Sequence, residues 1–350
     1  MAVTLKTLAR MAGLSESTIS RCLNDSPLVA EETKERVLRL AQEQGFHFNA
    51  NARGLSSKKN YTIGVIYPDN RYDFHTSQYY NTLNHQLRDR IEAAGYDVIV
   101  SFTKSSQDAQ SHVKRLILAG KVDGLILAGS IIDESTYHFL SQSDTPFVLM
   151  HHLAPYQRFC PVDSVCPDNT YGGYLAARHL LETGCRHLMT LTATADKSRE
   201  FVERTAGFKQ ALREFEVPIE EAVILSGPMQ SDWAYQTIME HQQLLPKVDG
   251  IFAQTDLMAF GVMQALRVLG YTIPDQISLV GYDDIDLTRI THPTITTIHQ
   301  PREEIARLTC ENLLKVMKHA DAAPGRQVVL QPTLVVRDST RPLPKDSLGE

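Results

Sequence analysis

From Tyr61 onward the chain repeats one unit, a short apolar run followed by an amphipathic stretch. The runs are YTIGVIYP, YDVIVSF, VDGLILAGS and PFVLMHH, starting at Tyr61, Tyr96, Val122 and Pro146. A second series, HLMTLTA, AVILSG, VDGIFAQTD and ISLVGYDD, starts at His187, Ala222, Val248 and Ile277. Continuous β-branched runs without polar alternation suit strands buried on both faces, so helices must cover both sides of the sheet. Helical spacing over 78–95, 107–120, 201–215, 232–244 and 257–269 supplies those crossovers. Two such series predict an α/β body of two doubly wound parallel-sheet lobes. Open parallel sheets bind ligands beyond the carboxyl ends of their strands, which singles out Pro68-Asp69, His151-His152, Thr255-Asp256 and Asp283-Asp284.

The first sixty residues are of another kind. They hold nine Lys or Arg against six Asp or Glu, whereas the remainder holds 26 against 35, so a polyanion partner belongs to the N-terminal part. TLKTLARMAG places Leu5, Leu8, Ala9 and Ala12 on one face of a short helix capped by Thr4, and Gly13 permits a sharp turn. Ser15 caps a second helix, ESTISRCLN, with Ile19, Cys22 and Leu23 inward and Glu16, Ser17, Ser20 and Arg21 on the opposite side. A third helix, EETKERVLRLAQEQG, turns Val37, Leu38, Leu40 and Ala41 toward the same small core. The expectation is a small all-α helix-turn-helix headpiece. Arg21 suits bidentate bonding to guanine, and Glu16 suits the cytosine amino group.

Other classes are disfavoured. No apolar run approaches the ~20 residues of a membrane span, and the N-terminus lacks a secretory signal's apolar core. A cytoplasmic location, with operator-bound molecules on the nucleoid, is expected. The five cysteines are scattered without metal spacing, and His151-His152 would point to opposite faces of a strand, so neither a metal nor another cofactor is expected. No GxSxG, GxGxxG, Walker A or HExxH motif supports an enzyme.

TLKTLARMAGLSESTISRCLN resembles the DNA-binding headpiece of the LacI/GalR family of bacterial regulators, through Leu8-Ala9, Ala12-Gly13-Leu14-Ser15, Thr18, Ser20-Arg21 and Asn24. The resemblance continues through IGVIYPD, VDGLILAGS, ERTAGF, SDWA, TDLMAFGVMQAL, ISLVGYDD, TTIHQP and PTLVVRDST, covering nearly the whole chain. It implies a body of the periplasmic binding protein type I kind. The implied division is a headpiece over 1–48, a hinge helix and linker over 49–60, an N-lobe over 61–159 and 292–320, a C-lobe over 160–291 and 321–341, and a tail over 342–350.

The same resemblance implies DNA contacts from Thr4, Ser15, Glu16, Ser17, Thr18, Ser20, Arg21 and Asn24, and from Asn49, Ala52, Arg53 and Leu55 in the hinge. Leu55 stands at the leucine that wedges into the minor groove, in a helix too short to form alone in water. The implied effector set is Asp69, His151, Arg204, Trp233, Thr255, Asp256 and Asp283, with Arg204 and Asp283 facing each other across a wet cleft and Trp233 on a sugar's apolar face. Four positions depart from the family pattern: Ala30 replaces a capping serine, Phe48 a frequent proline, His151 an aspartate, and Thr255 an asparagine or serine. The expected function is a homodimeric repressor of a pseudo-palindromic operator, controlled by a small sugar or sugar derivative. A nucleoside, purine or sugar-phosphate effector is the alternative, ahead of a sugar-binding protein or enzyme without DNA function.

Overall fold

The computed structural model describes residues 3–23, 26–46, 59–68, 74–129, 132–151, 161–194, 199–318 and 325–343. Three helices form the headpiece: α1 (Leu5–Ala12), α2 (Glu16–Leu23) and α3 (Glu31–Glu43). Leu8, Ala9, Ile19, Cys22, Val37 and Ala41 bury into one cluster, while Leu38, expected inside, is half exposed. Thr4 caps α1 by accepting from Thr7 N, and Ser15 caps α2 by accepting from Thr18 N at 3.1 Å. Ala30 precedes α3 with no side-chain cap, so the first-turn amides of that helix lack the partner a serine would offer.

The body contains two six-stranded sheets. The first runs β11 (Gln327–Leu330), β5 (Ser164–Pro167), β4 (Phe147–Met150), β3 (Gly124–Ala128), β1 (Thr62–Pro68) and β2 (Asp97–Thr103), all parallel. Helices α4 (Phe74–Ala93) and α11 (Arg302–Lys318) cover one face, where Leu83, Leu87, Ile305 and Leu313 meet Val65, Ile126 and Val148. Helices α5 (Ser106–Leu118) and α6 (Glu134–Ser141) cover the other, placing Val113, Leu116 and Leu140 against Ile66, Leu127 and Leu149. Each such side chain contributes about 1.5–3 kcal/mol by leaving water.

The second sheet runs β12 (Thr333–Val335), β10 (Thr296–His299), β9 (Ser278–Asp283), β8 (Gly250–Ala253), β6 (Leu188–Ala193) and β7 (Val223–Gly227), with only β12 antiparallel. Helices α7 (Asn169–Glu182) and α8 (Arg199–Glu214) lie on one face, and α9 (Ser231–Glu240) and α10 (Asp256–Val268) on the other. At the crossing of α7 and α8, a Cβ on Gly207 would sit 1.8 Å from Thr170 O, and one on Gly173 would sit 2.0 Å from Arg204 O. Only glycine allows this approach, and it is what brings α7 within reach of Arg204.

The lobe boundaries move from their sequence positions. SVCP pairs with β4 and β11, so the first lobe runs on to Pro167 rather than ending at residue 159. TTIH, expected in the N-lobe, pairs with β9 in the C-lobe, and only the helix after it returns. Gln327–Leu330, expected in the C-lobe, is an edge strand of the N-lobe. The chain still crosses three times, but near Asp168, Gln300-Pro301 and Gln331-Pro332. Backbone pairing decides these points, and short strands such as SVCP carry no pattern that says which sheet will take them. No helix among the described residues is long and apolar enough to cross a membrane.

Candidate DNA-reading surface and effector cleft

On α2 the side chains of Glu16, Ser17 and Arg21 are exposed, and Thr18 and Ser20 are partly so. Ser15, Ser17 and Thr18 hydroxyls bond one another at 2.8 Å, which fixes the helix start. Ser15 and Thr18 are thereby engaged in capping, leaving Glu16 and Arg21 as the exposed charged groups of this helix. Asn24 in the headpiece, and the hinge residues Asn49, Ala52, Arg53 and Leu55, lie outside the described residues, as does Asp69 of the effector set.

Between the lobes, the C-lobe wall is built on Arg204. Its side chain is 5% exposed, Nε donates to Asn169 Oδ1 at 3.1 Å, and Nη1 donates to Gln254 O at 2.6 Å. The guanidinium lies 3.6 Å from the ring centroid of Tyr282, a cation–π contact inside a desolvated site. Arg204 and Asp283 both belong to the C-lobe, on α8 and at the end of β9, and form no direct ion pair. They are neighbours on one wall, which corrects the expectation that they face each other across the cleft.

Asp283 and Asp284 have positive φ, 116° and 52°, which costs non-glycine residues about 1–3 kcal/mol each. Arg302, arriving from the lobe crossing, braces them by donating to both carbonyls, at 3.3 and 2.9 Å. Gln300 from the same crossing donates to Asp283 Oδ1 at 2.6 Å. Burial pushes the Asp283 carboxyl up to about 6, although Arg204, Gln300 and Arg302 pull it down. Asp284 behaves oppositely: burial works against its charge, but bonds from His299 and Arg337 hold it at about 2. Arg302 Nε and Gln300 Oε1 are buried with no protein partner, a donor and an acceptor beside Asp283.

The N-lobe wall is aromatic. Phe102 stacks on Tyr67 at 5.6 Å, Tyr80 meets Tyr67 edge-on at 5.4 Å, and Tyr79 meets both Tyr80 and His151 at 5.5 Å. Tyr79 Oη and His151 Nε2 are 3.1 Å apart. Burial, with Arg204 nearby, pushes His151 down to about 3, so the imidazole is neutral. The Arg302 guanidinium lies 5.6 Å from the Tyr79 ring centroid, so the residue that braces Asp283 and Asp284 also meets the aromatic wall.

Two expected effector residues, Thr255 and Asp256, have side-chain oxygens bonded within the fold. Thr255 caps α10 by accepting from Met258 N at 3.1 Å, so its oxygen is committed to the helix start. Asp256 is fully buried, accepting from Thr297 Oγ1 at 2.5 Å and from Ile285 N at 2.9 Å, and so ties β10 and the loop after β9 to α10. Trp233 packs on β7, its indole occupying the space a Cβ on Gly227 would need, and is only partly buried. The sequence reading missed Tyr79, Asn169, Tyr282, Gln300 and Arg302; Gln300 lies within the TTIHQP signpost and Arg302 directly follows it, which was the available signal.

A helix-turn-helix headpiece joined to two lobes that enclose a polar and aromatic cleft defines a ligand-responsive DNA-binding regulator. Comparison with known proteins agrees. The profile of the bacterial regulatory proteins of the lacI family matches residues 4–49, and that of the periplasmic binding protein-like domain matches residues 177–340. The chain is 30% identical over 345 residues to the HTH-type transcriptional repressor PurR of Vibrio parahaemolyticus, covering 97% of this chain and 99% of the relative. Catabolite control protein A of Priestia megaterium is 28% identical, over 97% of this chain and 100% of its own. Among solved structures, the Lac repressor dimer bound to operator and the anti-inducer ONPF superposes with TM-score 0.78 at 25% identity, covering 98% of this chain and 100% of that one. The CelR–cellobiose complex gives 0.72 at 27% identity, covering 96% and 99%. The chain belongs to the LacI family of DNA-binding transcriptional regulators.

Proposed function

We propose that this repressor is controlled by a neutral, ring-bearing effector of the nucleoside or nucleobase class, bound between the two walls. The observation that carries this reading is the N-lobe wall, where a neutral His151 stands in place of the aspartate expected from family resemblance, packed with four aromatics, Tyr67, Tyr79, Tyr80 and Phe102. A carboxylate there would accept from vicinal hydroxyls, whereas a neutral imidazole and aromatic faces favour a planar heterocycle. Arg302 Nε, Gln300 Oε1 and Asp283 then offer one donor and two acceptors to its edge or its ribose. A plain sugar is the second reading, supported by the similarity to CelR bound to cellobiose and, at 27% identity, to an Enterococcus faecium regulator bound to ribose.

In the same reading, Glu16, Ser17 and Arg21 face base edges in the major groove, the hinge inserts Leu55 at the operator centre, and two chains read a pseudo-palindromic site. A typical coupling of ~1–3 kcal/mol between the cleft and the DNA changes operator affinity about 5- to 150-fold. Calorimetric titration with nucleobases, nucleosides, ribose and cellobiose, followed by gel shift with whichever binds, tests it. Binding by nucleosides or bases that also shifts operator affinity is expected. Saturable binding of the sugars alone would reject the effector class.

A further inference from the structure

A second cavity, of about 440 Å³, opens on the C-lobe between α8 and the edge strand β7. Its floor is apolar, made by Ala193, Phe201, Val202 and Ile224. Lys209 and Arg213 line it from successive turns of α8, and Ser226 lines it from the end of β7. We propose that this cavity is a second small-molecule site that takes a phosphomonoester carrying a ring or short apolar group.

Neither Lys209 nor Arg213 makes an ion pair or hydrogen bond among the described residues, although they stand four apart on one helix face. Like charges at that spacing repel and weaken a helix, and a bound anion relieves the repulsion. Two cations without partners match the roughly −1.5 to −2 charge of a phosphomonoester at neutral pH better than they match a single carboxylate. Ser226 adds a hydroxyl donor. Thr192 and Thr205 also line the cavity, but their hydroxyls are turned into Gln254: Thr192 Oγ1 donates to Oε1 at 2.9 Å, and Thr205 Oγ1 accepts from Nε2 at 2.9 Å. They present methyl groups and fix the floor rather than bind the anion.

The size is that of a small-molecule pocket. Phe201 is the partition with the cleft, its ring centroid 4.9 Å from the Arg204 guanidinium. Gln254, which bonds both threonines, also accepts from Arg204 through its carbonyl, so the two sites share one rigid floor. The assignment does not depend on which effector the cleft binds.

The test is isothermal titration of the full-length protein with phenyl phosphate, inorganic phosphate and benzoate. Wild type is expected to bind phenyl phosphate saturably and to prefer it to the other two. The double variant Lys209→Gln/Arg213→Gln should lose roughly tenfold or more in that affinity, as expected when charge-assisted bonds are removed, while operator affinity and melting temperature stay near wild type. No binding by wild type at millimolar ligand, or equal binding by wild type and variant, overturns the site. Benzoate binding as tight as phenyl phosphate overturns the phosphate assignment.

Discussion

The two walls of the cleft solve different physical problems. The C-lobe wall holds charge: Arg204, Asp283 and Asp284 are buried or half-buried and held by bonds from separate elements, while Arg302, at the head of α11, braces the two aspartates from the N-lobe side. Among the described residues, the aromatic cluster around His151 holds none itself. Tyr67, Tyr79, Tyr80 and His151 pack edge to face, Phe102 stacks on Tyr67, and the imidazole of His151 is kept neutral. Charged groups need a lattice of hydrogen bonds to survive burial, whereas aromatic rings need only contact, so one wall is wired and the other is packed. In the proposed reading, a ligand is oriented by the C-lobe and accepted or refused by shape at the N-lobe.

The largest expected effect probes the scaffold of the wired wall. Gly207→Ala drives a methyl group into the backbone of Thr170, and should destabilise the fold by about 3 kcal/mol or more, seen as a lower thermal midpoint with lost effector response. An unchanged midpoint would mean that the α7–α8 approach can relax, and that Arg204 is not held by it. Arg204→Ala comes next. It leaves Gln254 O without a partner, at a cost of about 1–3 kcal/mol, and Asn169 Oδ1 with only the Tyr282 hydroxyl at 3.4 Å, and should abolish the effector response while sparing operator binding.

His151 tests the packed wall. His151→Gln keeps it neutral and should alter effector affinity only a few-fold, within about 1 kcal/mol. His151→Asp adds a buried carboxylate beside Tyr79 and should lower affinity by at least roughly tenfold. Equal affinities for the two variants would show that neutrality is not what this wall contributes.

The smallest effect is a pH dependence. An effector that uses the Asp283 carboxylate should bind progressively more weakly below about pH 6, by roughly tenfold at one unit lower, and Asp283→Asn should flatten the profile. The unliganded fold responds in the other sense to this group. Its raised value means the native state binds the proton more tightly, so the stability it contributes is present below 3.8 and is lost as pH rises through about 6. His151, lowered to about 3, contributes stability above 6.5 that is lost as pH falls toward 3, so the variant difference is the quantity to read.

Much of this was legible in the chain itself. Apolar runs without alternation could only be strands covered on both sides, and the caps Thr4 and Ser15 mark helix starts that the structure shows bonded. Arg204 and Asp283 were singled out because ERTAGF and GYDD resemble family motifs. Their relation was not, since both fall on the same lobe once β9 and α8 join one sheet. Thr255 and Asp256 read as ligand groups because they follow a strand; the structure turns one into a helix cap and the other into a tie between β10 and the loop after β9.

By itself, then, the sequence determined the class of fold, the headpiece and the residue types available to the cleft, because hydrophobic period and capping act over a few neighbouring residues. Tertiary structure alone decided which sheet takes SVCP, TTIH and QVVL, and so where the chain crosses. It also decided that Gln300 and Arg302, far from Asp283 in their local pattern, brace its strained backbone. Those outcomes depend on pairing partners and desolvation between separate segments, from the β9–β10 pairing to that of Ser164 with Gln327, which no local pattern encodes.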